Sequence, residues 1–360
     1  MNIYLDNNAT TALDPQVLEA MLPHLSFSPE NPSSPHAFGR TARAALHAAR
    51  QLVADFFGVS PKQVIFTSGA TEGLNSCIKK EGHLITSEIE HAAVLSPLVD
   101  YPHVSYLKSD DWGAPTAETL IAALTPATRQ IILSAANNET GVMSDLAHLA
   151  HLAQAHSIPF IVDGVGLLGK EEFQIPDGVS AIAFSSHKIH GPKGVGCLIL
   201  SPNHSFTPFI KGGGQEHGLR SGTENLAGIV GFAKALSLLS PSDYRRMRQL
   251  RDNFETLLPH ATINGKGPRV SSVSNLAFEG CDGETLLIDL DRHGIAVAHG
   301  SACATLALEP SHVLLKMGYP KKRVLASLRF SLSRFTTEEE LKDTTLKLKK
   351  WFPLQGAKTL

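Results

Sequence analysis

Short apolar runs alternate with helix-period segments over the middle of the chain. Residues 64–66, 83–86, 104–107, 131–135, 159–162, 181–184 and 197–200 read as strands, several separated by helical patterns such as 145–156. Strands this apolar are buried on both faces, so the alternation predicts an α/β fold with a mostly parallel sheet covered by helices on both sides. Upstream, Asp14 and Pro15 form an N-cap and first-turn pair, and Val17, Leu18, Met21 and Leu25 continue a helix. Segment 31–39 reads as an irregular loop. Apolar positions 42, 45, 46, 49, 52, 53 and 56 then predict a helix over 40–57, stopped by Gly58.

Near residue 240 the texture changes. Pro241 leads into a charged helix over 242–258, which reads as a connector. Strands near 273–278, 295–298 and 327–332 follow, with helices near 284–292 and 311–317, and Thr337 with Glu340 has capping-box spacing at the start of a last helix. This is the pattern of a smaller α+β unit, and 360 residues leave room for both units.

Composition narrows the partners. Net charge is −2, with 32 basic and 34 acidic residues intermixed, so no electrostatic footprint for nucleic acid or an anionic membrane is expected. A small-molecule substrate fits better. The four cysteines (Cys77, Cys197, Cys281, Cys303) are far apart with no CxxC pair, which argues against a disulfide framework or a zinc ribbon. MNIYLDNNATT lacks the features of a signal peptide, and no apolar run has membrane-spanning length, so a reduced, cytoplasmic setting is expected. His148 and His151 share a helix face at i, i+3, but Leu146, Leu149, Leu152 and Ala153 explain that helix as amphipathic and no metal site is expected there.

Candidate chemistry clusters at strand ends. AIAFSSHKIHGPKGVG (181–196) puts Lys188 just past an apolar strand, flanked by Ser185, Ser186 and His187, at the edge where open α/β sheets bind ligands. Partial desolvation and a cationic neighbour free a lysine amine to attack a carbonyl, so Lys188 is a candidate Schiff-base lysine; the alternative is a solvated loop cation. Ala70 and Thr71 in FTSGATE sit between a strand and a helix start, where backbone N–H groups and a hydroxyl make an anion cradle. Asp163 ends an apolar strand in a carboxylate, for which a protonated pyridine nitrogen is one partner. His91 and Asn138 fall at further strand-to-helix transitions. Arg329 lies in the middle of the strand pattern LRFSL, where burial is costly without an anion. Cys303 lies in GSACA, a run of small residues that predicts an exposed loop thiol.

LDNNATT, FTSGATE, SEIEHAAV, NNETGV, FSSHKIHGPKGVG, GGGQEHGLRSGTEN, GSACATLALEPSHVL and LRFSLSRFTTEEE occur in this order over nearly the whole chain. In these motifs the sequence resembles the cysteine desulfurases of the pyridoxal-phosphate-dependent class V aminotransferase family, in the branch with the longer catalytic loop. The resemblance implies a fold-type I aminotransferase-like architecture with a seven-stranded sheet. It also implies a cofactor-binding domain over 15–244 and a small domain made of 1–14 and 245–360. Lys188 would hold pyridoxal 5'-phosphate as a Schiff base and Asp163 would pair with its ring nitrogen. Ala70, Thr71, Ser185 and His187 would hold its phosphate, with Thr223 supplied by the partner of a homodimer. His91 would stack on the ring and move protons, Asn138 would contact the ring hydroxyl or the substrate, and Arg329 would fork the substrate carboxylate. Cys303 would take sulfur from L-cysteine as a persulfide, leaving L-alanine, and pass it to a protein acceptor for iron–sulfur cluster assembly or thiolation of cofactors or tRNA.

Three departures stand out. Where the family has a glutamine that bonds the ring hydroxyl, this chain has Gly166, and one such bond is worth about 1.5–3 kcal/mol. The segment between Lys79 and His83 is short, and the chain stops soon after its final helix, in a region that in the family helps bind scaffold partners. The competing readings are another pyridoxal-phosphate lyase or transaminase, such as a selenocysteine lyase, and a divergent homologue with a binding or regulatory role.

Overall fold

The computed structural model describes all residues except 1, 27, 28, 30, 203, 205, 301–309 and 352–360. Its strands are β1 (Ile3–Tyr4), β2 (Val64–Thr67), β3 (His83–Ser87), β4 (Val104–Leu107), β5 (Thr128–Ser134) and β6 (Phe160–Asp163). The remainder are β7 (Val179–Ser185), β8 (Gly196–Leu200), β9 (Thr262–Ile263), β10 (Val273–Ala277), β11 (Ile295–Ala296) and β12 (Ser327–Ser331). Seven form one sheet in the order β2-β8-β7-β6-β5-β3-β4, parallel except for β8, which runs against both neighbours. All seven strands read from the middle of the chain belong to this sheet.

Side-chain alternation along these strands builds two cores. In β6, Phe160 and Val162 face one core and Ile161 the other; in β7, Ile182 and Phe184 separate in the same way from Ala181 and Ala183. The first core is closed by helices Ala37–Phe57, Leu146–Ala155 and Leu226–Ser237, and the second by Ala70–Cys77 and Ala92–Leu98. Register then levels the strand ends, pairing Ser134 of β5 with Asp163 of β6 and Asp163 with Ala183 of β7. The candidate residues that follow those strands therefore meet at one edge.

A third core joins the two ends of the chain. Ile3 and Leu5 pack with Phe254, Leu276, Phe278, Leu290, Leu328 and Phe330. β12, β10 and β9 form an antiparallel sheet, β1 pairs with β11, and Asp6 bridges to Ser331. Thr337 caps the helix Glu338–Lys349 with the expected reciprocal bonds to Glu340.

Three local expectations change. The segment expected as loop over 31–39 ends in helix, because His36 caps it through Nδ1, accepting from the Gly39 N–H, and the helix starts at Ala37. The helix expected to run to Leu25 is two short ones, Pro15–Met21 and Pro23–Ser26, since Pro23 lacks the N–H that would continue the first. Leu226–Ser237 was not anticipated. It is buried almost all round, so it carries no amphipathic period.

Candidate active site

A cavity of about 220 Å³ opens at the C-terminal edge of β5, β6 and β7. Ala70, Thr71, His91, Asn138, Asp163, Ser185, His187, Lys188 and Arg329 all line it. Two sequence-predicted residues are not among them. Thr223 is exposed on the loop that precedes the Leu226–Ser237 helix, and Cys303 lies outside the described residues.

Lys188 ends the single 3-10 turn that follows β7, and its Nζ donates to the carbonyls of Asn8 and Ala9, the latter at 3.0 Å. The Asp163 carboxylate accepts from the Val165 N–H at 2.9 Å and is buried. Burial pushes its carboxyl up, against the pull of that N–H and of nearby His91 and Lys188. A carboxylate so placed is stabilised by a cationic partner in the cavity. His91 caps the helix Ala92–Leu98, with Nδ1 accepting from the Ala93 N–H at 3.0 Å, so the neutral ring carries its proton on Nε2. Burial holds His91 below its usual value, and burial with Lys188, Lys193 and Lys170 brings His187 down to about 4. His187 therefore acts as a neutral donor or acceptor, and its Nδ1 lies 3.1 Å from Thr10 Oγ1.

One end of the cavity lies against the start of the helix Ala70–Cys77. Gly69, at φ 157°, lets the chain turn from β2 into the helix Ala70–Cys77 without a capping side chain. Ser185 Oγ accepts from the Ala70 N–H at 2.9 Å and so ties β7 to that helix start. Lys193 and Thr10 stand at the outer side of the same turn.

The other end is organised by the N-terminal segment. Arg329 is 1% exposed. Its Nη2 pairs with Asp6 Oδ1 at 2.7 Å and Nη1 donates to Asn138 O at 3.1 Å, while Nε has no partner among the described residues. Asn8 Nδ2 donates to the same Asn138 carbonyl at 2.9 Å. Asp6 to Ala9 thus connect Lys188, Arg329 and Asn138 in one network, which sequence reading missed although LDNNATT was quoted as a motif. Glu90 was also missed. It is buried beside Asp163, receives the Ser134 N–H at 3.1 Å and the Ser134 hydroxyl, and burial raises it to about 8. The structure gives the Gly166 departure a physical form: a Cβ there would stand 2.2 Å from Ala136 O. Among the described residues no three His, Cys, Asp or Glu side chains are grouped as metal ligands, and no helix is long and apolar enough to cross a membrane.

The profile of the aminotransferase class-V family matches residues 3–343, and the chain belongs to that family. It is 39% identical over 365 residues to cysteine desulfurase 2 of Trichormus variabilis, covering 96% of this chain and 92% of the relative. Among solved structures, a NifS-like protein superposes with a TM-score of 0.90 at 32% identity, over 98% of this chain and 99% of the other. A structure of SspA in complex with cysteine matches with a TM-score of 0.83 at 31% identity, over 93% and 100% of the two chains.

Proposed function

We propose that this protein is a pyridoxal 5'-phosphate-dependent cysteine desulfurase that converts L-cysteine to L-alanine and keeps the sulfur as a persulfide on Cys303. The observation that carries this reading is the convergence of Lys188, Asp163, Arg329 and the Ala70–Ser185 cradle in one cavity. Its relatives named cysteine desulfurase match over nearly the full chain, and a neighbour of the same fold is described in complex with cysteine.

The donor set fits the cofactor. Ala70, Thr71, Ser185 and His187, which line one end of the cavity, would hold the phosphate, the buried Asp163 would pair with the ring nitrogen, and Lys188 would be the amine that anchors the aldehyde carbon. Bound there, the cofactor supplies an electron sink that weakens the bonds to the substrate's α-carbon. Arg329 binds the substrate carboxylate, using the Nε that has no partner among the described residues. Lys188 Nζ takes the Cα proton, and His91 holds a second proton on Nε2 at the cavity wall. The Cys303 thiolate attacks the substrate sulfur. The Cβ–S bond breaks and an S–S bond forms, and Cβ gains a proton in place of the one Cys303 loses. L-cysteine and thiol thus become L-alanine and persulfide with no outside oxidant.

Thr223 is exposed and serves the cradle of a second copy in a homodimer, and the exposed Leu18, Leu22 and Leu25 offer apolar surface for that association. The division at 15–244 against 1–14 with 245–360 then places Lys188 and Arg329 on different units that share one cavity. Free Cys77, Cys197 and Cys281 suit a reducing cytoplasm. From Cys303 the sulfur goes to a protein acceptor for cluster assembly or thiolation.

The test incubates purified protein with L-cysteine and a thiol reductant, measuring alanine and sulfide beside Cys303→Ala. Equimolar alanine and sulfide from wild type, lost in the variant, are expected. No alanine from wild type, or undiminished sulfide from Cys303→Ala, overturns the reading.

A further inference from the structure

Lys170 belongs to the cavity and has no role in the reaction as described so far. It is 6% exposed and lines the same space as Asp163, Lys188 and Arg329. An ammonium carries three donors. Nζ of Lys170 makes one hydrogen bond among the described residues, a long one of 3.4 Å to Val165 O. A buried cation with donors to spare is unfavourable unless an anion comes to meet it.

The available anions can be assigned by elimination. Asp6 is taken by Arg329. Once the cofactor and substrate are in place, Asp163 faces the ring nitrogen, the cradle holds the phosphate and Arg329 holds the substrate carboxylate. The ring oxygen of the cofactor is the remaining anionic atom, and no cationic donor has been assigned to it: Asn138, which the resemblance sets against the ring hydroxyl or the substrate, brings only a neutral amide. Val165 O, the one acceptor of Lys170 among the described residues, belongs to the peptide that leads into Gly166. The ammonium therefore stands beside the position where a donating side chain is absent, and Ala136 O leaves that position no room for one.

We propose that Lys170 is a cofactor-binding residue whose ammonium donates to the ring oxygen of pyridoxal phosphate, standing in for the side chain that Gly166 lacks. The inference rests on reading the cavity as a pyridoxal-phosphate site. Burial, with Lys188 and Arg329 nearby, brings free Lys170 down to about 7, and an anion arriving next to it would raise it and hold it charged.

The test compares pyridoxal phosphate with its 3-deoxy analogue, which lacks the ring oxygen. Wild type, Lys170→Met and Lys170→Gln are each reconstituted with both, and dissociation constants are read from cofactor absorbance. Lys170→Met should weaken the native cofactor about ten- to a hundredfold while leaving affinity for the analogue within about twofold. Lys170→Gln, a neutral donor on a shorter stem, should show a smaller loss, again confined to the native cofactor, and it carries the test if the Met variant does not fold. Equal loss with both compounds, or loss with neither, overturns the role of Lys170 and leaves the cofactor site standing. Wild type that binds neither compound overturns the cofactor reading itself.

Discussion

At the scale of single residues, the cavity is shaped as much by the groups that hold its ligating side chains as by those side chains themselves. Asp6 is a carboxylate already seated on Arg329. It keeps a guanidinium that is 1% exposed from being an unpaired buried charge, and leaves Nε for the carboxylate of the proposed substrate. Glu90 behaves differently. Desolvation raises it from 4.5 to about 8, so between those values the folded chain holds a proton that the unfolded chain has released. Stability from this group is therefore present below 4.5 and is lost as pH rises through about 8. Glu90→Gln removes the titration and keeps the shape. Thermal unfolding from pH 5 to 8 should show wild type losing stability relative to Glu90→Gln as pH rises; parallel curves would refute the assignment.

At the scale of elements, what was legible in the sequence depended on whether a residue broke a pattern. Asp163, Lys188 and Arg329 each interrupt or end an apolar strand run, where a charge needs a partner, and all three line the cavity. Lys170 precedes Glu171 and Glu172, so it reads as part of a solvated charge run although it is buried. Asp6 sits among asparagines that read as a turn, and only tertiary pairing reveals its partner. The loop bearing Thr223 shows the same limit. Glu216, at φ 48° and 4% exposed, reaches back to Arg50 and to the Phe66 N–H of β2, and Arg220 of the same loop pairs with Glu72 at 3.0 Å. Nothing local in GGGQEHGLRSGTEN announces these anchors, since their partners lie some 150 residues away. Glu216→Gln should cost about 3–5 kcal/mol, because it leaves the Arg50 cation buried without its counter-charge. Urea unfolding measures this, and a change below about 1 kcal/mol would show the pair to be dispensable.

For the whole molecule, the first residues of the chain unite the parts. Ile3 and Leu5 belong to the core built with β10 and β12, while the carbonyls of Asn8 and Ala9 receive the Lys188 amine that follows β7. The cavity lies where these parts meet, yet Thr223, the last member of the proposed phosphate cradle, is exposed on its own chain. The proposed dimer resolves this by giving each cradle the threonine of the other copy, and that arrangement has a quantitative signature. Lys188→Ala loses its own amine but still offers Thr223; Thr223→Ala keeps Lys188 but offers no threonine. When the two variants are mixed and allowed to exchange subunits, a mixed dimer contains one site with both groups intact and one with neither. Equal amounts should give about half mixed dimers, and so about one quarter of wild-type activity at limiting cofactor. If Thr223 acted within its own chain, mixing would restore nothing above the sum of the two variants. Activity before and after exchange, with the dimer fraction followed by native mass spectrometry, separates the two arrangements.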